Sequence, residues 1–413
     1  MHFPPEKLAA QSTTARPGTR WPAVFAALFA GVVGALAWGK MSPALPLLKE
    51  EFQLSLIGAG WLVSAFNALA AASAIFFGVL CDRVGALRFC IAGSALMAAG
   101  ALVGAFAPGA PLFVASRFIE GAGFIAVIVS APGLITAAAA PERRGIAFGL
   151  WATYFPIGVS AVMVASPPLL GDFGWRSVWV LGALASAACA LLLAARRRDY
   201  AGVVRGAKRS LASLGVSYSQ PVPWLLGLAF AMYAIQHQSL MIWLPMYLIE
   251  SQGLSLTAAV LATALAVIVN CFGNLLGGWL LQKNIPRGRI IAATFAVTSL
   301  IFVLIFAGGL SNTLRYALVV FYSFITGTVP SAALSAGMRY ARSPAEVGAI
   351  QGLIVHLTQI GIFLGPPLVA AVVTWGGSWD ATLWPLLGCA AVALACAFAI
   401  ERHERAGGKI QFS

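Results

Sequence analysis

Apolar residues run along this chain in stretches of about twenty or more, at 21-48, 55-81, 87-107, 111-138, 145-169, 177-195, 222-249, 255-281, 290-308, 314-338, 346-374 and 380-399. Each is long enough to cross about 30 Å of hydrocarbon at about 1.5 Å per residue. A span in lipid must satisfy its own backbone, and these runs are far too long for tilted barrel strands. The pattern therefore predicts an all-α integral membrane protein of twelve transmembrane helices. Composition agrees: with 60% hydrophobic and 9% charged residues among 413, a water-soluble domain is the wrong class.

The net charge of +13 raises nucleic acid as a partner until the 26 basic residues are placed. With a cytoplasmic N-terminus, 21 of them fall on the cytoplasmic side. Lys40, Lys49, Arg117, Arg176 and Arg315 remain for the other side or the membrane. That is the positive-inside bias, with both termini cytoplasmic in an inner (plasma) membrane, and the charge reports topology rather than nucleic-acid binding. The first twenty residues hold Lys7, Arg16 and Arg20 and no short apolar region with a cleavage site, so no removable signal peptide is expected. Cys81, Cys90, Cys189, Cys271, Cys389 and Cys396 all lie in or at the ends of spans without C-x-x-C spacing, and read as packing residues.

The chain also matches itself at an offset of 199 or 200 residues. Pro46 pairs with Pro245, Gly78 with Gly278, Arg83 with Lys283, Gly149 with Gly348, Pro167-Pro168 with Pro366-Pro367, and Trp179 with Trp379. Ordered matches that include a Pro-Pro argue for two six-helix halves, related by an axis along the membrane normal. The expected organisation is a tail at 1-20, a half at 21-195, a basic cytoplasmic linker at 196-221, a second half at 222-400 and a tail at 401-413.

The segment GVLCDRVGALR, Gly78 to Arg88, lies between spans two and three and resembles the G-x-L-a-D-R-x-G-r signature of the major facilitator superfamily. RFIEGAG, Arg117 to Gly123, is similar to that superfamily's span-four R-x-x-x-G-x-G motif, and PERRGIAFG with GWRSVW to its loops around span five. The resemblance implies the major facilitator fold and a secondary transporter. The residues carry a physical reading of their own. Gly78 and Gly85 allow close approach and a sharp turn, and Asp82 can accept from helix N-terminal amides or pair with Arg83 or Arg88. Together they form a candidate conformational latch. The second half has Gln282 where the first has Asp82.

Ionisable residues inside spans cost about 2.5 to 3.5 kcal/mol near the centre, so each is a functional candidate. Gln236, His237 and Gln238 sit at the middle of span seven, and Asn67, Tyr154, Asn270 and Gln359 are central in spans two, five, eight and eleven. With His356 they form a candidate substrate-binding belt at the depth where transporters hold substrate. Lys40 lies about six residues past the middle of its span, so it either faces a cavity or snorkels to the outer headgroups. Arg117 and Glu120, three apart on one helical face, either neutralise each other or, as the resemblance implies, take part in proton coupling. His237 is either a satisfied buried histidine or a ligand contact and protonation switch. His237 and Met241 also share a face as a soft-metal pair, similar to a copper-importing branch of the superfamily, although span eight offers Asn270 and Asn274 instead.

Lys40, Arg117 and a protonatable His237 against Glu120 give the cavity a positive balance that favours anions. IWLPMYL, Ile242 to Leu248, is similar to the W-L-P-x-x-L of cyanate-porter-like and organic-anion-symporter branches. The expectation is a monomeric secondary transporter taking a small anion or acidic metabolite into the cytoplasm with protons, without cofactor or resident metal. Efflux by proton antiport is the alternative, needing only apolar walls and aromatics such as Trp38, Trp151 and Tyr154; copper import is the second. No G-x-x-x-x-G-K-[ST], G-x-S-x-G or H-E-x-x-H occurs, which argues against a nucleotide-driven pump or a hydrolytic enzyme.

Overall fold

Residues that cap a helix, and residues that cannot donate inside one, set where the helices start and bend. The computed structural model describes residues 18–200, 220–307, 309–335, 340 and 344–406. The expected tails and linker fall largely outside the described residues. Among the described residues there is no strand, and twelve helical stretches are long and apolar enough to cross a membrane. They are α1 (Trp21–Glu51), α2 (Leu56–Ser73), α3 (Ala86–Ala105), α4 (Ala110–Ala138), α5 (Pro141–Phe173) and α6 (Trp175–Ala195). The second half has α7 (Pro221–Gln252), α8 (Leu256–Gln282), α9 (Arg287–Phe306), α10 (Asn312–Leu334), α11 (Ile350–Gly376) and α12 (Trp379–Arg405). An even number of spans puts both ends of the chain on one face, here the terminal face; the other is the opposite face.

Three spans begin at the opposite face with the same device. The hydroxyls of Ser55, Ser255 and Ser311 accept the amides of Gly58, Ala258 and Leu314, satisfying donors that a helix start leaves free. Several spans expected to be continuous are broken. The helix Trp21–Gly39 stops and Met41–Glu51 begins, with Lys40 at the turn between. Pro43 has no N–H for the carbonyl of Gly39, which is why the ladder fails there. The same logic separates Arg144–Trp151 from Tyr154–Phe173, where Pro156 follows, and Asn312–Thr326 from Thr328–Leu334, where Pro330 follows. In α2 a 3-10 turn at Ala65–Asn67 plays this part, and Gly85 at φ 94° makes the turn into α3.

The internal repeat is visible in the packing. A Cβ on Gly158 of α5 would lie 2.3 Å from the Val32 carbonyl of α1, and one on Gly361 of α11 would lie 2.6 Å from the Ala231 carbonyl of α7. Each glycine lets its helix touch the first helix of its half, at carbonyls (Val32 and Ala231) that stand 199 residues apart. At the opposite face, Trp175 donates its indole N–H to Glu51 at 2.6 Å, and Trp379 donates to Glu250 at 2.9 Å. Trp379 is thus the counterpart of Trp175. The expected pairing of Trp379 with Trp179 is out by one helical turn, because Trp179 is buried against the α1 and α4 charges described below. The six cysteines are all free, and five are buried, in keeping with packing roles.

Gly158→Ala and Gly361→Ala should each lower the thermal midpoint of detergent-solubilised protein, at about 1 to 3 kcal/mol for overpacking. Gly149→Ala, whose added methyl would meet nothing within 4 Å, should not. Equal midpoints in all three would remove the close-approach argument.

Candidate functional site

The charged residues of α1 and α4 meet inside the first half. Lys40 projects from the turn in α1 and is fully buried, as are Glu120 and, to 1%, Arg117. The Lys40 ammonium donates to one Glu120 oxygen and the Arg117 guanidinium, one turn back on α4, donates to the other. Both terminal nitrogens of Arg117 also lie 3.3 Å from the carbonyl of Ala37, in the last turn before the α1 break. Aromatic faces cover the cations: Lys40 Nζ is 4.5 Å from the Trp179 ring centre, and the Arg117 guanidinium carbon is 4.5 Å from that of Phe66. On α6, a Cβ at Gly182 would stand 3.2 Å from Lys40 Nζ, so the glycine makes room for the ammonium.

Lys40 therefore does not snorkel: its side chain points into the helical bundle and ends on a carboxylate. Nor does it stand as a lone counter-charge, because Glu120 already occupies it. Arg117 and Glu120 neutralise each other as their spacing suggested, and Lys40 joins them from 80 residues away. Among the described residues these three are the buried charged side chains, two cations to one anion.

The second half holds a neutral polar cluster. His237 Nε2 is 3.1 Å from Ser323 Oγ of α10, and Ser323 donates its hydroxyl hydrogen to the carbonyl of Ala266 at 2.6 Å. Ser323 has one hydrogen to give, so the Nε2–H of His237 must be the donor in their contact, which leaves Nδ1 as an acceptor. That atom is buried and has no partner among the described residues. The imidazole lies between Tyr233, at 5.2 Å and 15°, and Tyr322, at 6.2 Å and 25°. Asn270 donates to the Ser323 carbonyl at 2.7 Å and receives the Asn274 amide at 3.1 Å. Two of the expected belt residues, His237 and Asn270, are thus joined through Ser323, which nothing in the linear pattern marks. Tyr233 could have been found, since it sits four residues before His237 on the same helical face.

Other expected belt residues lie apart. Gln236 is fully buried and donates to the Leu386 carbonyl of α12 at 2.6 Å, so it faces the interior of its own half. Gln238 and Gln359 are half-buried. His356 is half-buried, with a buried Nδ1 that lacks a partner among the described residues. Asn67 is buried in the 3-10 turn of α2, and Tyr154 stacks on Trp151 at 4.4 Å beside the α5 break. In the latch segment Gly78 is buried, Asp82 is half-buried, and Arg83 and Arg88 are exposed. The expected pairing of Asp82 with Arg83 or Arg88 is not formed; among the described residues Asp82 has no ion pair. Among the described residues no group of three His, Cys, Asp or Glu side chains converges as a metal site.

The halves meet near the opposite face. Ser42 of α1 reaches the carbonyls of Met241 and Ile242 of α7, both at 3.0 Å. A Cβ on Gly60 of α2 would lie 2.9 Å from the Cα of Pro367 in α11, and Trp61 packs edge-on to Phe363 at 5.6 Å. The segment Tyr154–Phe173 of α5 packs on α8, whereas Arg144–Trp151, nearer the terminal face, packs on α1 and α4 of its own half.

Twelve spans in two pseudo-symmetric halves, with polar clusters inside each and a seal at one face, define a multi-pass membrane carrier rather than an enzyme. The chain belongs to the Major Facilitator Superfamily, whose profile matches residues 27–366. It is 30% identical over 174 residues to the multidrug efflux pump LfrA of Mycolicibacterium smegmatis, covering 41% of this chain but only 34% of the pump. It is 26% identical over 336 residues to the 3-(3-hydroxy-phenyl)propionate transporter of Escherichia coli, covering 80% of this chain and 81% of that protein. Its fold matches the solved structure of a bacterial homolog of the human lysosomal transporter Spinster in an inward-facing and occupied conformation, with a TM-score of 0.77, 17% identity, and coverage of 94% and 98%.

The two-to-one charge count makes an asymmetric prediction. Glu120→Gln leaves two buried cations without an anion and should destabilise the protein by about 3 to 5 kcal/mol. Lys40→Met leaves a neutral Arg117–Glu120 pair and should cost about 1 kcal/mol or less. Thermal melts in detergent decide it, and a larger loss in Lys40→Met than in Glu120→Gln would refute the charge accounting.

Proposed function

We propose that this secondary transporter takes a small organic anion into the cytoplasm with protons, by alternating access between the halves at 21–195 and 222–400. The observation that carries the reading is the buried cluster of Lys40, Arg117 and Glu120, whose surplus positive charge favours an anion beside the first half. The second half then supplies neutral hydrogen-bonding groups, His237, Gln238 and Asn270, that orient the solute. The relative aligned over 80% of this chain is named for a phenylpropionate, an aromatic carboxylate, which supports the class of solute. The basic excess at the terminal face supports a cytoplasmic placement of both termini in a cell membrane. On that placement the seal at the opposite face belongs to an inward-facing state. Asp82 then acts as a latch whose partner is engaged in another state, and Arg117, Glu120 and His237 are the candidate coupling groups.

Efflux is the second reading, supported by the likeness to LfrA over part of the chain. Proteoliposomes separate the two. Under an inward proton gradient, labelled 3-phenylpropionate should accumulate and a protonophore should abolish the accumulation. Proton-driven ethidium extrusion without monocarboxylate uptake would turn the assignment to efflux. Asp82→Asn should slow uptake while leaving solute affinity near wild type, because the loss falls on the balance of access states. If His237 senses a proton, His237→Gln should flatten the profile of uptake against pH. An unchanged profile shape would reduce His237 to a contact or packing residue.

A further inference from the structure

Among the described residues, the side-chain hydrogen bonding between the facing ends of α1 and α7 comes from Ser42, and its acceptor has an unusual origin. In a regular helix the carbonyl of residue i accepts the amide of residue i+4. Pro245 lies inside α7 and has no amide hydrogen, so the carbonyl of Met241 has lost its donor. A lone carbonyl at this depth cannot turn to water and must find another partner. Ser42 Oγ lies 3.0 Å from it, and the Ser42 side chain is 2% exposed. The neighbouring Ile242 carbonyl is also 3.0 Å away, but regular helix geometry already gives it the amide of Met246. A hydroxyl has a single hydrogen, so the orphaned carbonyl is the acceptor that needs it.

The repeat makes this contact one-sided. Pro46 stands in α1 where Pro245 stands in α7, so the carbonyl of Ser42 is orphaned in the same way as that of Met241. Met241 carries no hydroxyl to return the bond. Ser42 also sits two residues past Lys40, in the short helix Met41–Glu51 that begins at the α1 break. That segment can tilt as a unit about the turn at Lys40, while Lys40 itself remains tied to Glu120.

We propose that Ser42 is the positioning residue of the opposite-face gate: its hydroxyl serves the Met241 carbonyl that Pro245 leaves without a donor, and this bond favours the sealed state over the open one. The proposal rests on the alternating-access reading and adds to it the residue that holds one state. The bond exists only while α1 and α7 are together. When they part, both groups lose that partner.

The test reads the gate itself rather than transport. In full-length protein with the six native cysteines replaced, nitroxide labels at Gln53→Cys and Ser251→Cys, both exposed near the opposite face, report the distance between the halves by pulsed electron resonance. Ser42→Ala should shift the closed-to-open ratio toward open by about two- to ten-fold, the range of one net hydrogen bond. Ser42→Thr, which keeps a hydroxyl, should restore much of it. Pro245→Ala supplies Met241 with a backbone donor and should also favour the open state, and the double variant should shift no further than the larger single variant. A folded Ser42→Ala protein with the wild-type distance distribution would overturn the gate. Additive shifts in the double variant would overturn the shared-acceptor mechanism. A single population in wild type at every pH, with and without 3-phenylpropionate, and in Glu120→Gln as well, would overturn alternating access beneath it.

Discussion

In the hydrocarbon interior a backbone carbonyl without a donor has no water to turn to, and much of this structure can be traced to where that rule is strained. Pro43, Pro156 and Pro330 each interrupt a ladder, and each interruption coincides with a turn between two helices that together make one span. The breaks are not spread at random. The one in α1 places Lys40, the one in α5 lies beside the stacked Trp151 and Tyr154, and the one in α10 follows the helix that carries Tyr322 and Ser323. Proline inside a span does not always break it, since Pro132, Pro245 and Pro366-Pro367 sit within continuous helices; there it leaves a carbonyl whose partner must come from elsewhere, as Ser42 does for Met241.

The charge cluster obeys the same constraint in electrostatic form. Burying an ion costs several kcal/mol, repaid only by good partners, so two cations are tolerable here because one carboxylate serves both and aromatic faces cover them. This explains why Trp179 is fully buried on α6 and why glycine is found at 182. It also separates the halves chemically. The first holds fixed charge at its core; the second holds neutral donors and acceptors around His237. On the proposed function, a solute between them would meet a positive potential on one side and hydrogen-bonding groups on the other.

Much of the helical architecture was legible in the sequence, because span length follows from simple physics acting along the chain and the internal repeat is read directly from it. The spans, the halves and the pairing of Arg117 with Glu120 came from such local rules. Lys40 did not. Its partner is 80 residues away, and depth within a span says nothing about the direction in which a side chain leaves the helix. Depth alone also fails to say which belt residues face together: Gln236 and His237 are neighbours at one depth, yet one faces α12 and the other α10, since successive residues on a helix point about 100° apart. Ser323 and Ser42 were invisible because a serine in an apolar run usually bonds its own helix, and only tertiary packing reveals a carbonyl on another helix as the acceptor.

The two strained features of α1 belong to one short stretch of chain. Lys40 holds the turn to the first half through Glu120, and Ser42, two residues on, holds the following helix to the second half through Met241. A change in the electrostatics of the cluster therefore acts at the pivot of the segment that closes the opposite face. In the proposed gate the Lys40–Glu120 tie anchors that pivot while Met41–Glu51 tilts about it. The break made by Pro43 thus lets one end of α1 belong to each half.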